Sequence, residues 1–225
     1  MKDYCIALFD LDGTVIDSGL GITNALMHTL RHYGIPIPER RELYKFVGPS
    51  LYESLEKYYG FSKDGAREAV GVYREYYRDK GIFEMSVYDG VLPLLRALHE
   101  GGRRVLLATS KPEPFAEMII EHIGAAGYFD AVAGSLLDGS RVSKDEVIEY
   151  ALGRCGISER EQVVMIGDRD SDILGAKRTG IASIGVLYGF GSREELEAAQ
   201  PEHIAETPRD IGRIILGENY VEAEK

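Results

Sequence analysis

Cysteine is scarce in this sequence, and long apolar runs are missing. The two cysteines, Cys5 and Cys155, lie far apart and match no zinc-binding or redox spacing, so we expect both to be small core residues. No stretch reaches the roughly 18 consecutive apolar residues of a membrane span. The polar start Met1-Lys2-Asp3 precedes an apolar run too short for a secretory signal. The expected setting is therefore the reducing cytoplasm, away from membranes.

Positive charge is in deficit. Lysine and arginine total 26 against 37 acidic residues, which gives a net charge of −11. This balance argues against nucleic acid or an anionic membrane surface as a partner. The five histidines show no metal-ligand spacing. An acidic protein that handles phosphate must supply local positive charge, most simply as a metal ion, whereas no pattern indicates an oligomeric state.

Short apolar runs recur along the chain as candidate parallel strands, and helix-like stretches separate the later ones. The runs span residues 4–9, 105–108, 131–133, 163–166 and 181–187. This alternation predicts an α/β fold with a Rossmann-like, doubly wound parallel sheet. Two helix starts support it: Ser143 and Glu146 have capping-box spacing, and Pro208 follows Thr207 at a first helical position.

Residues 17–85 have a different character, with helical spacing and no strand run. Three amphipathic stretches are predicted there, from Ile22, Leu26, Leu30 and Tyr33, from Leu51, Leu55 and Tyr58, and from Val72, Tyr76 and Phe83. A connection this long exceeds a normal loop. We therefore predict an all-helical cap domain at 17–85, inserted into a catalytic core made of 1–16 and 86–225.

Polar side chains follow the predicted strands at the edge where open parallel sheets bind ligands. The first strand leads into Asp10-Leu11-Asp12-Gly13-Thr14, the second into Thr109-Ser110-Lys111, and the fourth into Gly167-Asp168 and onward to Asp172. Lys144 opens a predicted helix after the third strand. Two carboxylates one residue apart at the end of a buried strand need a nearby cation or a raised pKa.

Together these side chains supply what phosphoryl transfer assisted by a hard cation requires. Mg²⁺ prefers carboxylate and carbonyl oxygens and neutralises phosphate charge as the bond breaks. An aspartate can act as the nucleophile and form an aspartyl-phosphate. A second carboxylate can then serve as the acid for the leaving alcohol and the base for the hydrolytic water.

The sequence resembles the haloacid dehalogenase superfamily of phosphohydrolases. The resemblance rests on four motifs in order: Asp10-x-Asp12-Gly13-Thr14, the strand ending at Thr109, the lysine Lys144, and Gly167-Asp168 through Asp172. The helical insertion after the first motif is similar to the cap of the phosphoglycolate phosphatase-like and 5′-nucleotidase-like subgroup.

The resemblance implies a role for each matched residue. Asp10 would attack phosphorus and bind the metal, and Asp12 would act as general acid and then base while its backbone carbonyl binds the metal. Thr109 and Ser110 would hold the phosphoryl group, and Lys144 would neutralise both nucleophile and phosphate. Of the acidic motif's two aspartates, Asp168 would complete Mg²⁺ coordination, whereas Asp172 would either support the metal or orient Lys144.

The implied activity is Mg²⁺-dependent hydrolysis of a small phosphate ester, with phosphoglycolate or a nucleoside 5′-monophosphate as the expected substrate. A phosphosugar mutase similar to β-phosphoglucomutase is the alternative, followed by a non-enzymatic phospho-accepting regulatory domain. Dehalogenation is disfavoured because the dehalogenases of this superfamily lack an aspartate at the position of Asp12. Specificity is expected from the cap, where the turn at 45–50 presents Lys45 and Gly48 as candidate substrate contacts.

Overall fold

A six-stranded parallel sheet forms the centre of the protein in the computed structural model, which describes residues 3–221. The described strands are β1 (Ile6–Phe9), β2 (Ile16–Asp17), β3 (Ser86–Val87), β4 (Arg104–Pro112), β5 (Ala131–Ser135), β6 (Val163–Gly167), β7 (Ala182–Val186) and β8 (His203–Ala205). The sheet has the order β5-β4-β1-β6-β7-β8, and each neighbouring pair runs parallel. β1 therefore lies in the interior of the sheet, between β4 and β6.

Helices cover both faces of this sheet. The described α-helices are α1 (Gly19–His32), α2 (Arg40–Leu43), α3 (Leu51–Tyr59), α4 (Lys63–Asp79), α5 (Val91–Glu100), α6 (Glu113–His122), α7 (Lys144–Arg154), α8 (Asp170–Thr179), α9 (Arg193–Ala199) and α10 (Pro208–Leu216). Side chains alternate along β1, so that Ala7 and Phe9 pack with α5, α6 and α10, whereas Leu8 packs with α7 and α8. The predicted doubly wound α/β fold is confirmed.

The segment between β2 and β3 carries α1 to α4, and we refer to this segment as the helical insertion. β2 and β3 pair antiparallel at its base and join it to the sheet domain. Inside the insertion, α1 packs against α4 through Leu26 and Leu30 on one side and Ala69, Val70 and Tyr73 on the other. A helical insertion after β1 is thus present, while the exact domain division at 17–85 stays a prediction.

The third amphipathic stretch was predicted with part of its buried face and too far along the chain. Val72 is buried as predicted and Tyr76 packs half-buried against the core, but the buried face of α4 also includes Ala66, Ala69, Val70, Tyr73 and Tyr77. The helix ends at Asp79 because the chain then turns into a short 3₁₀ segment at Gly81–Phe83, where the backbone of Gly81 packs directly on Gly21 of α1. Phe83 lies beyond this turn and is 46% exposed.

The remaining sequence predictions differ from the structure mainly at element ends. β4 runs to Pro112, four residues beyond the predicted run, and the edge strand β8 was not predicted. The two predicted helix starts are correct: Glu146 Oε2 accepts from the Ser143 backbone N at 3.3 Å, and Thr207 precedes Pro208 at the start of α10. Within residues 3–221, every helix is too short or too polar to cross a membrane.

Candidate active site

The carboxyl ends of β1, β4 and β6 bring four polar side chains to one edge of the sheet. Asp10 and Asp12 follow β1, Thr109 lies near the end of β4, and Asp168 follows β6; all four are buried. Gly13 adopts a left-handed backbone with φ +85°, and a Cβ there would overlap the Asp168 carboxylate. Glycine is therefore required at this position for the first and last motifs to meet.

Lys144 connects the carboxylates of two motifs. It begins α7, and its Nζ lies 2.8 Å from Asp10 Oδ1 and 2.7 Å from Asp172 Oδ1. The same nitrogen donates to the backbone carbonyl of Ala108 in β4 at 3.0 Å. The ammonium group thus donates two hydrogen bonds, to Asp10 and Ala108, and forms an ion pair with Asp172. Asp172 thus lies beside Lys144, and its carboxylate also belongs to the cluster formed with Asp10 and Asp168, so both roles left open by the sequence stay predictions.

Burial and crowding shift the pKa values of these groups. Burial raises the pKa of Asp10 to about 6, although Lys144 works against the shift. Burial, followed by repulsion from Asp172 and Asp10, raises the pKa of Asp168 well above its usual range. Burial tends to lower the pKa of Lys144, but the two carboxylates beside it more than compensate and raise it. Without another cation, this edge holds more carboxylates than Lys144 neutralises.

The donor set fits a hard metal ion. Asp10, Asp168 and Asp172 each offer a carboxylate oxygen, and these oxygens lie within 4.8 Å of one another. Asp168 Oδ2 accepts from the backbone N of Phe190 at 2.7 Å, whereas its buried Oδ1 has no hydrogen-bond partner among the described residues. A buried carboxylate oxygen without a partner is costly unless a cation binds it.

A second buried lysine at the same edge was missed by the sequence reasoning. Lys111, at the end of β4, lies with its Nζ 2.9 Å from Asp12 Oδ2 and donates to the hydroxyl of Tyr77 at 2.7 Å. Tyr77 belongs to α4 of the helical insertion. The signal for Lys111 was its place directly after Thr109-Ser110, but no sequence pattern indicated its partner in the insertion.

The predicted phosphate-binding residues occupy the end of β4. Thr109 is 1% exposed, and its Oγ1 accepts from the backbone N of Lys111 at 3.2 Å. Ser110 is half-buried, and its Oγ donates to the carbonyl of Val142 at 3.0 Å. Because β4 is the neighbour of β1, both residues lie beside the strand that carries Asp10.

A cavity of about 100 Å³ lies between the sheet edge and the helical insertion. The sheet domain contributes Asp12, Ser110 and Lys111 to its wall. The insertion contributes mostly apolar and aromatic residues together with one serine and one arginine: Ile22, Phe46, Gly48, Pro49, Ser50, Leu51, Tyr52, Val70, Tyr73, Arg74 and Tyr77. Gly48 thus lines the cavity as predicted for a substrate contact.

Lys45 does not line this cavity. Its side chain is exposed, and its Nζ lies 4.3 Å from the ring centroid of Tyr58 on the surface of the insertion. The residues 44–46 form a 3₁₀ turn that buries Phe46 and so directs the neighbouring lysine outward. The structure therefore brings Gly48 to the site but leaves Lys45 outside it.

Arg169 joins the turn of the insertion to the sheet domain and was also missed. Its Nε lies 2.7 Å from Glu195 Oε1, and its Nη1 donates to the carbonyl of Val47 at 2.7 Å. A Cβ at Gly48, where φ is +99°, would lie 3.1 Å from the Arg169 side chain. The glycine therefore permits the turn at 47–50 to approach the residue next to Asp168.

Comparison with protein families assigns the chain. Residues 7–186 match the profile of the haloacid dehalogenase-like hydrolases, which covers all four motifs and the insertion. The chain belongs to this family. The resemblance to this superfamily that the sequence indicated is confirmed. The prediction that the protein is an enzyme of the phosphatase and hydrolase type is confirmed as well.

Individual relatives of this haloacid dehalogenase-like hydrolase carry several names. The 5′-nucleotidase of Pseudomonas aeruginosa is 46% identical over 89% of this chain and 90% of that protein. Tyrosine-protein kinase PtkA of Mycobacterium tuberculosis is 39% identical over 85% of this chain, which spans 65% of that protein. The phosphoglycolate phosphatase of Vibrio cholerae is 29% identical over 96% of this chain and 97% of that protein.

A solved structure extends the likeness to three dimensions. A predicted phosphatase from Clostridium acetobutylicum superposes with a TM-score of 0.93 at 43% identity, covering 95% of this chain and 99% of that one. The sheet order and the helical insertion are therefore those of a known phosphatase-like fold. The names of the relatives agree on phosphoryl chemistry and differ in the molecule acted upon.

Proposed function

We propose that this protein is a Mg²⁺-dependent phosphomonoesterase that acts through an aspartyl-phosphate on Asp10. The observation that supports this most is the buried carboxylate of Asp10, which is paired with Lys144 at 2.8 Å and lies beside Asp168 and Asp172. A nucleophile that attacks a phosphate dianion needs such compensation, because two negative charges must approach each other.

In this proposal the reaction has two steps with the same pair of aspartates. The Asp10 carboxylate attacks phosphorus, the bond from phosphorus to the ester oxygen breaks, and Asp12 gives its proton to the departing alcohol. Asp12 then takes a proton from water as the water oxygen attacks the aspartyl-phosphate, and inorganic phosphate leaves with Asp10 regenerated. Thr109, the Ser110 amide and Lys144 hold the phosphoryl oxygens throughout.

The metal in this proposal is Mg²⁺, held by the side chains of Asp10 and Asp168 and by the backbone carbonyl of Asp12. Asp172 supports this site and fixes Lys144 at 2.7 Å. When bound, the ion supplies positive charge that neutralises the phosphate. The oxygen-only donor set and the unpartnered Asp168 Oδ1 favour such a hard cation.

We propose a nucleoside 5′-monophosphate as the preferred substrate class, ahead of phosphoglycolate. The 46% identity to a 5′-nucleotidase supports this choice. The cavity wall offers the rings of Tyr52 and Tyr73 together with Arg74, groups that can pack against an aromatic base and a ribose once the cavity of about 100 Å³ widens to admit a whole nucleotide. Gly48, in the turn above the cavity, is the candidate contact from the predicted pair.

The proposal is tested by phosphate release from purified protein with and without Mg²⁺. The panel contains nucleoside 5′-monophosphates, phosphoglycolate, sugar phosphates, pyrophosphate and p-nitrophenyl phosphate. We expect Mg²⁺-dependent release that is fastest for a nucleotide and that falls to background in Asp10→Asn. Equal rates in the wild type and Asp10→Asn would contradict it.

Two further outcomes identify the alternatives carried from the sequence. Interconversion of two sugar phosphates without net phosphate release would indicate a mutase. Uptake of one phosphate per chain from a small phosphodonor, with no turnover, would indicate a regulatory phospho-acceptor. Either result would replace the proposed hydrolase.

A further inference from the structure

The acid–base residue of the proposed reaction is held by a group that the family motifs do not include. Asp12 Oδ2 is paired with Lys111 at 2.9 Å, whereas the buried Asp12 Oδ1 has no hydrogen-bond partner among the described residues. Both side chains are nearly inaccessible, with 8% of Asp12 and 6% of Lys111 exposed. One carboxylate oxygen is thus fixed while the other is buried without a partner, in a residue that lines the cavity.

Lys111 is itself fixed by the helical insertion. Its Nζ donates to the Tyr77 hydroxyl at 2.7 Å and lies 4.7 Å from the centroid of that ring. Tyr77 stacks on Tyr73 within α4, with centroids 5.3 Å apart, and meets Phe115 of α6 edge-on at 5.8 Å. The tyrosine is therefore wedged between the insertion and the sheet domain, and its hydroxyl has little freedom to move.

We propose that Lys111 is the positioning residue for Asp12 and that the hydroxyl of Tyr77, in the insertion, holds Lys111 in place. The chain Tyr77–Lys111–Asp12 turns the free oxygen Oδ1 toward the ester oxygen of the substrate. This inference rests on the proposed function, since it assigns Asp12 its acid–base role. It follows that the sheet domain alone carries the nucleophile and the metal site, while proton transfer depends on a contact from the insertion.

A competing interpretation is that Lys111 binds the substrate directly, because it also lines the cavity. In our proposal Lys111 acts through Asp12, whereas in the competing interpretation it acts directly on the substrate. A positioning residue loses its effect when Asp12 can no longer transfer a proton, whereas a substrate-binding residue keeps its effect. A double-mutant cycle between Lys111 and Asp12 measures this difference.

The experiment compares the wild type, Lys111→Met, Asp12→Asn and the double variant on an alkyl phosphate from the panel. We expect kcat of Lys111→Met to fall about 30-fold, which is part of the roughly 10²- to 10⁴-fold that general acid–base catalysis contributes, with KM changed less than about threefold. The double variant should be no slower than Asp12→Asn. A further loss of 30-fold in the double variant, or a rise in KM with unchanged kcat, would overturn the proposal.

A comparison of two leaving groups, an alcohol and p-nitrophenolate, provides a second test. The p-nitrophenolate ion departs without a proton, whereas an alcohol does not, so a displaced acid hardly matters for the aryl ester. The loss in Lys111→Met should therefore be at least fivefold smaller with p-nitrophenyl phosphate. Equal losses on both esters would indicate that Lys111 serves the phosphoryl group rather than Asp12.

Tyr77→Phe keeps the ring and removes only the hydroxyl, so it tests the contribution of the insertion in a protein with intact packing. We expect the same pattern as in Lys111→Met with a kcat loss of roughly three- to tenfold, as for one hydrogen bond to a charged group. The matched control is Tyr76→Phe, on the same helix, whose hydroxyl donates to Glu84 Oε1 at 3.0 Å. Identical kinetics in Tyr77→Phe and the control would refute the role of the insertion.

Folding and function are separated as follows. If Lys111→Met fails to fold, Lys111→Arg and Tyr77→Phe still decide the question. Lys111→Arg keeps a cation at this position, and Tyr77→Phe keeps the aromatic packing. Lys111→Arg should recover part of kcat relative to a neutral residue. If the wild type shows no phosphate release that depends on Asp10, the proposed function fails; if the wild type is active and both Lys111 variants match it, only this inference fails.

Discussion

The sheet edge and the helical insertion contribute in opposite ways to one site. At the sheet edge, Lys144 forms ion pairs with both Asp10 and Asp172, and all three groups belong to the sheet domain. The insertion offers mainly rings and aliphatic side chains to the cavity, with Arg74, Ser50 and tyrosine hydroxyls such as that of Tyr77 as polar contributions. The charged groups are thus assembled at strand ends and helix starts of the sheet domain, whereas the proposed surface for the organic part of a substrate comes from the insertion.

This division predicts how the two regions respond to mutation. Changes at the sheet edge should lower kcat or metal affinity for every ester, because they alter charge at the reacting atoms. Changes in the insertion should alter KM and the ranking of substrates, because they affect groups that contact only the ester's organic part. The contact from Tyr77 to Lys111 is the exception, since it crosses from one region to the other.

The largest expected effect is that of Asp168→Asn at the sheet edge. The variant removes a charged ligand with an unpartnered oxygen, and the several kcal/mol that a metal ion supplies correspond to about a 10⁴-fold loss of kcat. Phosphate release at saturating Mg²⁺ measures the loss, and calorimetric titration measures the ion's affinity. Asp170→Asn, an exposed aspartate in the first turn of α8, is the matched control and should keep full activity.

Removal of the metal should make the free energy of unfolding depend on pH, because the crowded carboxylates then lack a compensating cation. The pKa of Asp10 is raised to about 6 and that of Asp168 well above its usual range, so near pH 5 the folded protein holds protons that the unfolded chain has released. The free energy of unfolding of the metal-free protein therefore falls as the pH rises from about 4 toward neutrality. Mg²⁺ should raise Tm more at pH 7.5 than at pH 5; an equal rise at both would contradict this.

Asp12→Ala should have the next largest effect and should separate chemistry from metal binding. We expect kcat for an alkyl phosphate to fall about 10²- to 10³-fold, the usual contribution of a general acid and base. The affinity for Mg²⁺ should change little, because the backbone carbonyl of Asp12 is the proposed ligand and the side chain pairs with Lys111 instead. An equal loss of Mg²⁺ affinity and rate would contradict this division.

The sheet edge could be predicted from the sequence because strand ends and motif residues coincide there. A buried run such as Ile6–Phe9 fixes where Asp10 emerges, and parallel neighbours bring Thr109 and Asp168 to the same edge. The alternation of strands and helices predicted a parallel sheet with one common edge, whereas the strand order came from the structure. The position of Lys144 also followed, since a capped helix start defines its first residue.

The insertion could not be predicted to the same depth, because its contacts are tertiary and carry no spacing rule. Helical periodicity located α1 and α3 but gave only part of the buried face of α4, and it did not single out Tyr77. Lys111 stood next to recognised residues, yet its role depends on a tyrosine 34 positions away. Lys45 was chosen for its charge, whereas burial of its neighbour Phe46 decides where it points.

Arg74→Ala tests the insertion's side of the comparison and should have a moderate effect. The guanidinium lines the cavity and donates from Nη2 to the Tyr52 hydroxyl at 3.3 Å. We expect KM for a nucleoside 5′-monophosphate to rise about tenfold, as for loss of one charge-assisted hydrogen bond, with kcat changed less than KM. The control is Arg78→Ala, an exposed arginine of the same helix paired with Asp79 at 2.8 Å. A fall in kcat without a change in KM would contradict the division of labour.

Lys45→Ala should have the smallest effect and separates charge from position within the insertion. Lys45 and Arg74 are both cations of the insertion, but only Arg74 lines the cavity, while the Lys45 ammonium lies over the exposed ring of Tyr58. Exposed charges separated by more than about one Debye length, which is about 8 Å at physiological salt, are largely screened from each other. Lys45→Ala should therefore change KM for a nucleotide less than about twofold. Michaelis–Menten kinetics at low and physiological salt measure this. A rise in KM as large as that of Arg74→Ala would mean that Lys45 reaches the substrate, because only direct contact escapes such screening.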